Sequence, residues 1–265
     1  MVARSRQSPP RTAPRLSYDV TVAISSRSSP GRSGPAPSAG FTGYLASALT
    51  GLSDEQRSEV FELSDTVAEV CAKSGIALYE PRKSTDPVHH AHVPDDQVFR
   101  LDRQRVARSD LIIYLAHYPS TGAGQELVIA QGALVPIIVL AYEDAPVSRM
   151  VTGLPGTVLL RHRDLATLAD GLTWCIEQLR PSMARRRAAF AEHHHAAFGD
   201  RLRRLRQERG LTHEKLAAMM RVPGLISAGE LADWEAGSDQ ESNLHLVQLR
   251  EIASALGVPP AELLG

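Results

Sequence analysis

Two unbroken apolar runs, LIIYLA (Leu111–Ala116) and PIIVLAY (Pro136–Tyr142), constrain the fold more than any other feature of the chain. A strand that is apolar on both faces must be covered on both faces, which is the signature of a parallel sheet between two layers of helices. The flanking segments alternate as that arrangement requires. YLASALTGL after Gly43 reads as a strand entering a turn, and Ser53–Gly75 reads as a helix. Ser53 is placed as its N-cap with Gln56 three residues on, and Val60, Leu63, Val67 and Val70 form its apolar stripe. Ile76–Tyr79 is a short strand, Pro81–Val93 a loop with three histidines, and Asp95–Arg108 a helix. A third helix opens over Gln125–Gly132. TVLLRH and a helix over Asp164–Leu179 complete the unit. The fold class expected is α/β, Rossmann-like or flavodoxin-like, followed by an all-α domain.

The 265 residues suffice for two ordinary domains. Residues 1–40 read as a disordered leader, because their Ser, Arg, Pro and Gly content buries too little to offset ordering entropy. Within them only YDVTVAIS (Tyr18–Ser25) alternates like a strand. The α/β unit spans 41–180, a helical linker 181–198, and the all-α unit 199–265. Net charge is −1, yet Arg180–Arg209 holds nine arginines against Glu192, Asp200 and Glu208, so the near-neutral total says little about partners. Only Cys71 and Cys175 occur, both in helical stretches, which fits a reducing, cytoplasmic setting without disulfides. No run approaches the roughly 18 apolar residues of a membrane span, and the N-terminus has no apolar signal region.

The C-terminal unit carries FGDRLRRLRQERGLTHEKLAAMM, then ELADWEAG, then LREIASALGVPPAELLG. Together these resemble the Cro/repressor-type (XRE) helix-turn-helix family over about 196–265. The resemblance implies an operator DNA partner, with the helix around Glu230–Glu235 in the major groove. Arg201, Arg203, Arg204, Arg206 and Arg209 can meet phosphates. The DNA-facing set it implies is Arg201, Arg204, Thr212, Lys215, Ser227 and Glu230. Two departures stand out: the connection RVPGLISAG is longer than usual, and the reading face carries Glu230 and Asp233, which repel phosphates. A helical bundle used for dimerisation is the plainer alternative.

YPSTGAGQEL (Tyr118–Leu127) sits between an apolar strand and a helix. It suits a phosphate-cradling turn, a plain tight turn or the mouth of a pocket. Glycines there bring N–H groups close to an anion, the helix dipole favours negative charge, and strand ends are where open α/β sheets bind ligands. Cleaving an N-glycosidic bond needs a carboxylate at the anomeric carbon and a second acid for the departing base. With Tyr44 in YLASALTGL and Asp102 in RLDRQRVARSDLIIYLA, this stretch resembles the nucleoside 2-deoxyribosyltransferase superfamily, in its nucleoside 5′-monophosphate N-glycosidase branch, over about Gly43–Leu179. The resemblance implies Glu126 as nucleophile, Asp102 assisting the leaving base and Tyr44 orienting Glu126. Ser120, Gly122 and Gly124 would hold the 5′-phosphate, with Arg82 also on the substrate. Gln125 and Val128 depart from the family's flanking residues.

Each residue also has a plainer role: Glu126 complementing a helix dipole, Tyr44 in the core, Asp102 as a solvated helix charge. His89, His90 and His92 either cover the base or face solvent, and the histidines at 193–195 read as solvated. No ligand set closes around a metal, and no cofactor is expected. Three functions remain in view. The favoured one is a DNA-binding regulator with a nucleotide-sensing domain, able by resemblance to hydrolyse nucleoside monophosphates. The others are an N-glycosidase or deoxyribosyltransferase localised by its helical domain, and a purely structural protein. A homodimer is expected by resemblance for both halves.

Overall fold

The computed structural model describes residues 40–193, 198–236 and 244–264. The leader, its candidate strand at Tyr18–Ser25 and the histidines 194–195 lie outside them. Five strands form one parallel sheet: β1 (Phe41–Ala46), β2 (Ile76–Tyr79), β3 (Leu111–Leu115), β4 (Ile137–Tyr142) and β5 (Thr157–His162), in the order β2-β1-β3-β4-β5. This is the flavodoxin-like order, one of the two that the sequence left open. α1 (Asp54–Lys73) and α5 (Leu165–His193) cover one face, and α2 (Asp95–Arg108) and α3 (Thr121–Gly132) the other. Alternate residues of each strand serve opposite cores. Leu111, Ile113 and Leu115 pack with α1 and α5, whereas Ile112 and Tyr114 pack with α2 and α3. The α1 stripe of Val60, Leu63, Val67 and Val70 is buried as expected, behind a Ser53–Gln56 capping box. Cys71 and Cys175 are buried and unbonded.

Two helices differ from expectation. α3 starts at Thr121 rather than Gln125, because Ser120 caps it by accepting from the Ala123 N–H at 3.1 Å. α5 does not end at Leu179 but runs through Pro181 to His193. An interior proline costs a helix about 3 kcal/mol, and the segment beyond it is held by tertiary contacts. Met183 is fully buried in the sheet core. The Arg186 guanidinium donates to the carbonyls of Ala107, Ser109 and Ala133 at 2.7–2.9 Å, where α2 and α3 end. Arg187 pairs with the buried Asp110, which also accepts from the Thr42 N–H and hydroxyl. These arginines anchor the helix to the sheet.

The C-terminal bundle comprises α6 (Phe198–Glu208), α7 (His213–Ala218), α8 (Ala228–Glu235), α9 (Leu246–Leu256) and α10 (Pro260–Leu264). Leu202, Leu216, Leu231, Trp234, Ile252 and Leu263 form the core of this bundle. The remaining helix, α4 (Arg149–Thr152), is a single turn between β4 and β5 of the α/β domain. A side chain at Gly199 would collide with the Trp234 carbonyl, so glycine sets how closely α6 approaches α8. The buried Glu235 accepts from both Arg206 Nε and Nη2 at 2.6 Å and also contacts His213 and Arg203.

Candidate active site

β1 and β3 are neighbours although α1, β2 and α2 separate them in the chain, so the winding reverses between them. A crevice at such a point, beyond the carboxyl ends of the strands, is where open α/β sheets bind ligands. A cavity of about 810 Å³ lies there, lined by the β1–α1 loop (Ser47, Thr50), the β2–α2 loop (Thr85, His90), α2 (Phe99, Asp102) and the start of α3 (Ser120, Gly122, Glu126). Tyr44 reaches it from the sheet floor. Fully buried and stacked on Tyr79 with centroids 5.5 Å apart, it donates its hydroxyl to Glu126 Oε1 at 2.7 Å.

The two acids share one electrostatic environment. Burial lifts the Glu126 carboxyl to about 7, against the Tyr44 hydrogen bond and with the Asp102 charge adding to the rise. Burial lifts Asp102 to about 6, opposed by the Tyr44 and Thr85 hydroxyls. One oxygen of Asp102, Oδ1, is inaccessible and without a hydrogen-bond partner. The Tyr44 phenol is raised well above its ordinary range, first by burial and then by Glu126 and Asp102, so it stays a donor. Both carboxyls are thus drawn toward the protonated form, Glu126 more than Asp102, so a carboxylate and an acid can coexist in the site.

Of the residues expected to act on substrate, Tyr44, Asp102, Glu126, Ser120 and Gly122 converge on this crevice. Gly124 faces the neighbouring groove beside Val128 and Met150 instead. Arg82 turns away, its guanidinium bound to Asp65, to Glu80 at 2.7 Å and to the Phe61 carbonyl at 3.3 Å. The hydroxyl of Ser120 is already used as a cap, and the glycines following it lie inside the first turn of α3 rather than in a loop. His90 lines the cavity; His89 is exposed. Among the described residues no cluster of histidine, cysteine or acids has the makings of a metal site.

Sequence reasoning missed Arg57 and Asp86. Asp86 is fully buried, pairs with Arg57 and accepts from the Val88 N–H, while Arg57 also donates to the Leu49 carbonyl. The pair ties together the two loops that wall the cavity. Nothing local marks either residue, since they are far apart in the chain and ordinary in type. A second polar group, across the sheet, was equally invisible: His117 and His162 meet Nε2 to Nε2 at 2.9 Å, and Tyr118 and Tyr142 both donate to Glu59 at 2.5 Å.

In the C-terminal bundle Thr212 and Ser227 cap α7 and α8, and Lys215 is exposed. Arg201 is not available to phosphates as expected, because its guanidinium binds the Leu263 and Leu264 carbonyls at the end of α10. Arg203 and Arg206 are likewise committed to Glu235. Arg204 stays on the surface beside Glu208. Glu230 completes the capping box of α8.

The molecule is thus a parallel α/β domain with a carboxylate pair at its switch point, followed by a compact helical domain. Residues 197–264 match the family described as helix-turn-helix domain. No curated protein matches the chain. Solved structures similar to it include the Clostridium botulinum CMP N-glycosidase BcmB, at 17% identity over 49% of this chain and 96% of that one, with a TM-score of 0.39. A 2-deoxyribosyltransferase from Bacillus psychrosaccharolyticus is 19% identical over 48% of this chain and 90% of its own, with a TM-score of 0.38. The protein BlsM is 16% identical over 61% and 99%, with a TM-score of 0.43. Likeness at this level carries no residue roles with it.

Proposed function

We propose that the chain is a DNA-binding regulator whose α/β domain takes a nucleoside 5′-monophosphate in the switch-point cavity and has the groups to hydrolyse its N-glycosidic bond. The observation that carries the ligand half is the Tyr44–Glu126–Asp102 constellation, with an unpartnered Asp102 oxygen beside a half-buried carboxylate. In this reading Glu126, once its proton has passed to Asp102, attacks or stabilises the anomeric carbon, and Asp102 hands that proton to the departing base. Tyr44 fixes the orientation of Glu126. The N-terminal turn of α3, with Ser120 and Gly122, receives the phosphate through backbone N–H groups. The DNA half rests on the helix-turn-helix match over 197–264 and on the exposed Thr212, Lys215 and Arg204.

Incubating the full chain with a panel of nucleoside 5′-monophosphates and measuring free base tests the chemistry. Release that falls by several orders of magnitude in Glu126→Ala is expected, and unchanged release removes the assignment. A gel shift on DNA upstream of the protein's own gene, with and without those nucleotides, tests the regulator. The specific observation favouring the second reading, an N-glycosidase that the helical domain localises, is the internal use of Arg201, Arg203 and Arg206, which reduces the cationic surface offered to DNA. Base release without any shift would select it.

A further inference from the structure

Helix α2 borders two places at once. Its Phe99, Asp102 and Arg103 line the switch-point cavity. Phe99 and Arg103, with Gln97 and Arg100, also form one wall of a groove of about 700 Å³ whose opposite wall is the start of α8: Ser227, Gly229, Glu230 and Asp233. A second groove, of about 660 Å³, runs between α3 at Gln125 and Val128 and the bundle at Glu230 and His245, and Phe99 and Arg103 line it too. Glu230 is bound at both ends. Its Oε2 accepts from the Ser227 N–H at 2.8 Å, while Oε1 lies 3.9 Å from Arg103 Nη1, with the two side chains mostly out of solvent at 17% and 31% exposure. The acidic start of α8 therefore faces the basic side of α2.

We infer that α2 is a latch: Arg103 holds Glu230 and keeps the N-terminal end of α8 against the α/β domain, and an anionic ligand entering the cavity competes for Arg103 and releases it. The inference rests on the proposed function in taking α8 as the DNA-reading helix and a nucleotide as the ligand. A helix can enter the major groove only when its N-terminal residues are clear, since that groove is about 12 Å wide and admits little more than the helix itself. α2 lies across the groove from Ser227, Gly229 and Glu230, on the side from which a duplex would have to approach them. One loose ion pair is a weak tie. That suits a switch, because a ligand of moderate affinity can overturn it.

The experiment has two arms on the full chain. In the first, cysteines introduced by Arg100→Cys and Asp233→Cys, which line the same groove, are joined by a short bifunctional maleimide. Yield should be high for the chain alone and fall when the nucleoside 5′-monophosphate panel is added at millimolar concentration. It should fall without nucleotide in Arg103→Glu and in Glu230→Gln, the latter keeping an oxygen for the α8 cap and so guarding against a failure to fold. Yield unmoved by either substitution or by nucleotide overturns the latch. In the second arm, DNA affinity should rise about 5-fold or more on adding nucleotide and in Arg103→Glu without it, a coupling of ordinary allosteric size. If all forms bind DNA equally, the latch fails while DNA reading stands. If cross-linking responds as expected but no form binds DNA, the latch stands and the DNA reading fails.

Discussion

The phenol of Tyr44 and the carboxyls of Glu126 and Asp102 come from a strand and two helices, and each is unremarkable alone. Their proximity changes what each one costs. With burial raising Glu126 to about 7 and Asp102 to about 6, the folded chain binds more protons than the unfolded one between about pH 4 and 7. Stability contributed by this pair is therefore present at low pH and lost as pH rises through that window. Glu126→Gln keeps an oxygen to accept from Tyr44 and has no charge to bury. Relative to the parent it should be neutral at pH 4.5 and more stable at pH 8 by on the order of 3 kcal/mol, at about 1.4 kcal/mol per pKa unit. Urea midpoints across the pH series measure this, and a difference that does not vary with pH refutes it. His117 acts in the opposite sense. Burial, with His162 beside it, holds it near 4, so its contribution is lost as pH falls from its ordinary 6.5 toward 4. The residue types of the site were legible in the motifs around Tyr44, Asp102 and YPSTGAGQEL; the raised pKa values of its acids were not, because they depend on burial.

Elements were read well wherever local pattern decides them. The bounds of α2, β2 and β5 match the sequence expectation, since apolar period and breakers fix them. The two errors have different causes: at α3 a local cap, Ser120, starts the helix early, and at α5 distant contacts outweigh a local signal. α5 passes Pro181 because Met183 is buried in the core and Arg186 spans the ends of two other helices. Removing that fork by Arg186→Ala should leave the Ala107, Ser109 and Ala133 carbonyls short of donors and cost about 3 kcal/mol in urea unfolding, at ~1 kcal/mol per hydrogen bond. Arg186→Lys should recover little of it, because an ammonium cannot reach three carbonyls as a planar guanidinium does. Full stability in Arg186→Ala would mean that the proline is tolerated for some other reason. The arginines of α6 follow the same rule: their number suggested a surface for phosphates, and Glu235 and the end of α10 claim three of the four.

At the scale of the molecule, a ligand that binds only the folded cavity stabilises the α/β domain by mass action, about 2.7 kcal/mol at 100 times its Kd. A productive nucleoside monophosphate should therefore raise the melting midpoint of the wild-type chain, and should do so far less in Asp102→Asn, which removes an acid from the cavity lining. Calorimetry with the nucleotide panel checks this, and equal shifts in both chains would place the ligand elsewhere. Among the described residues no helix is long and apolar enough to cross a membrane. From the sequence alone came the parallel sheet, the helical bundle and the residue types of the acid pair, because apolar period, capping residues and short motifs are local properties. Tertiary structure alone decided that Tyr44, Asp102 and Glu126 share a cavity, that Arg82 and Arg201 face away from their expected partners, and that Arg103 meets Glu230. Those outcomes depend on which side chains win a buried partner, and that competition exists only once the whole chain has folded.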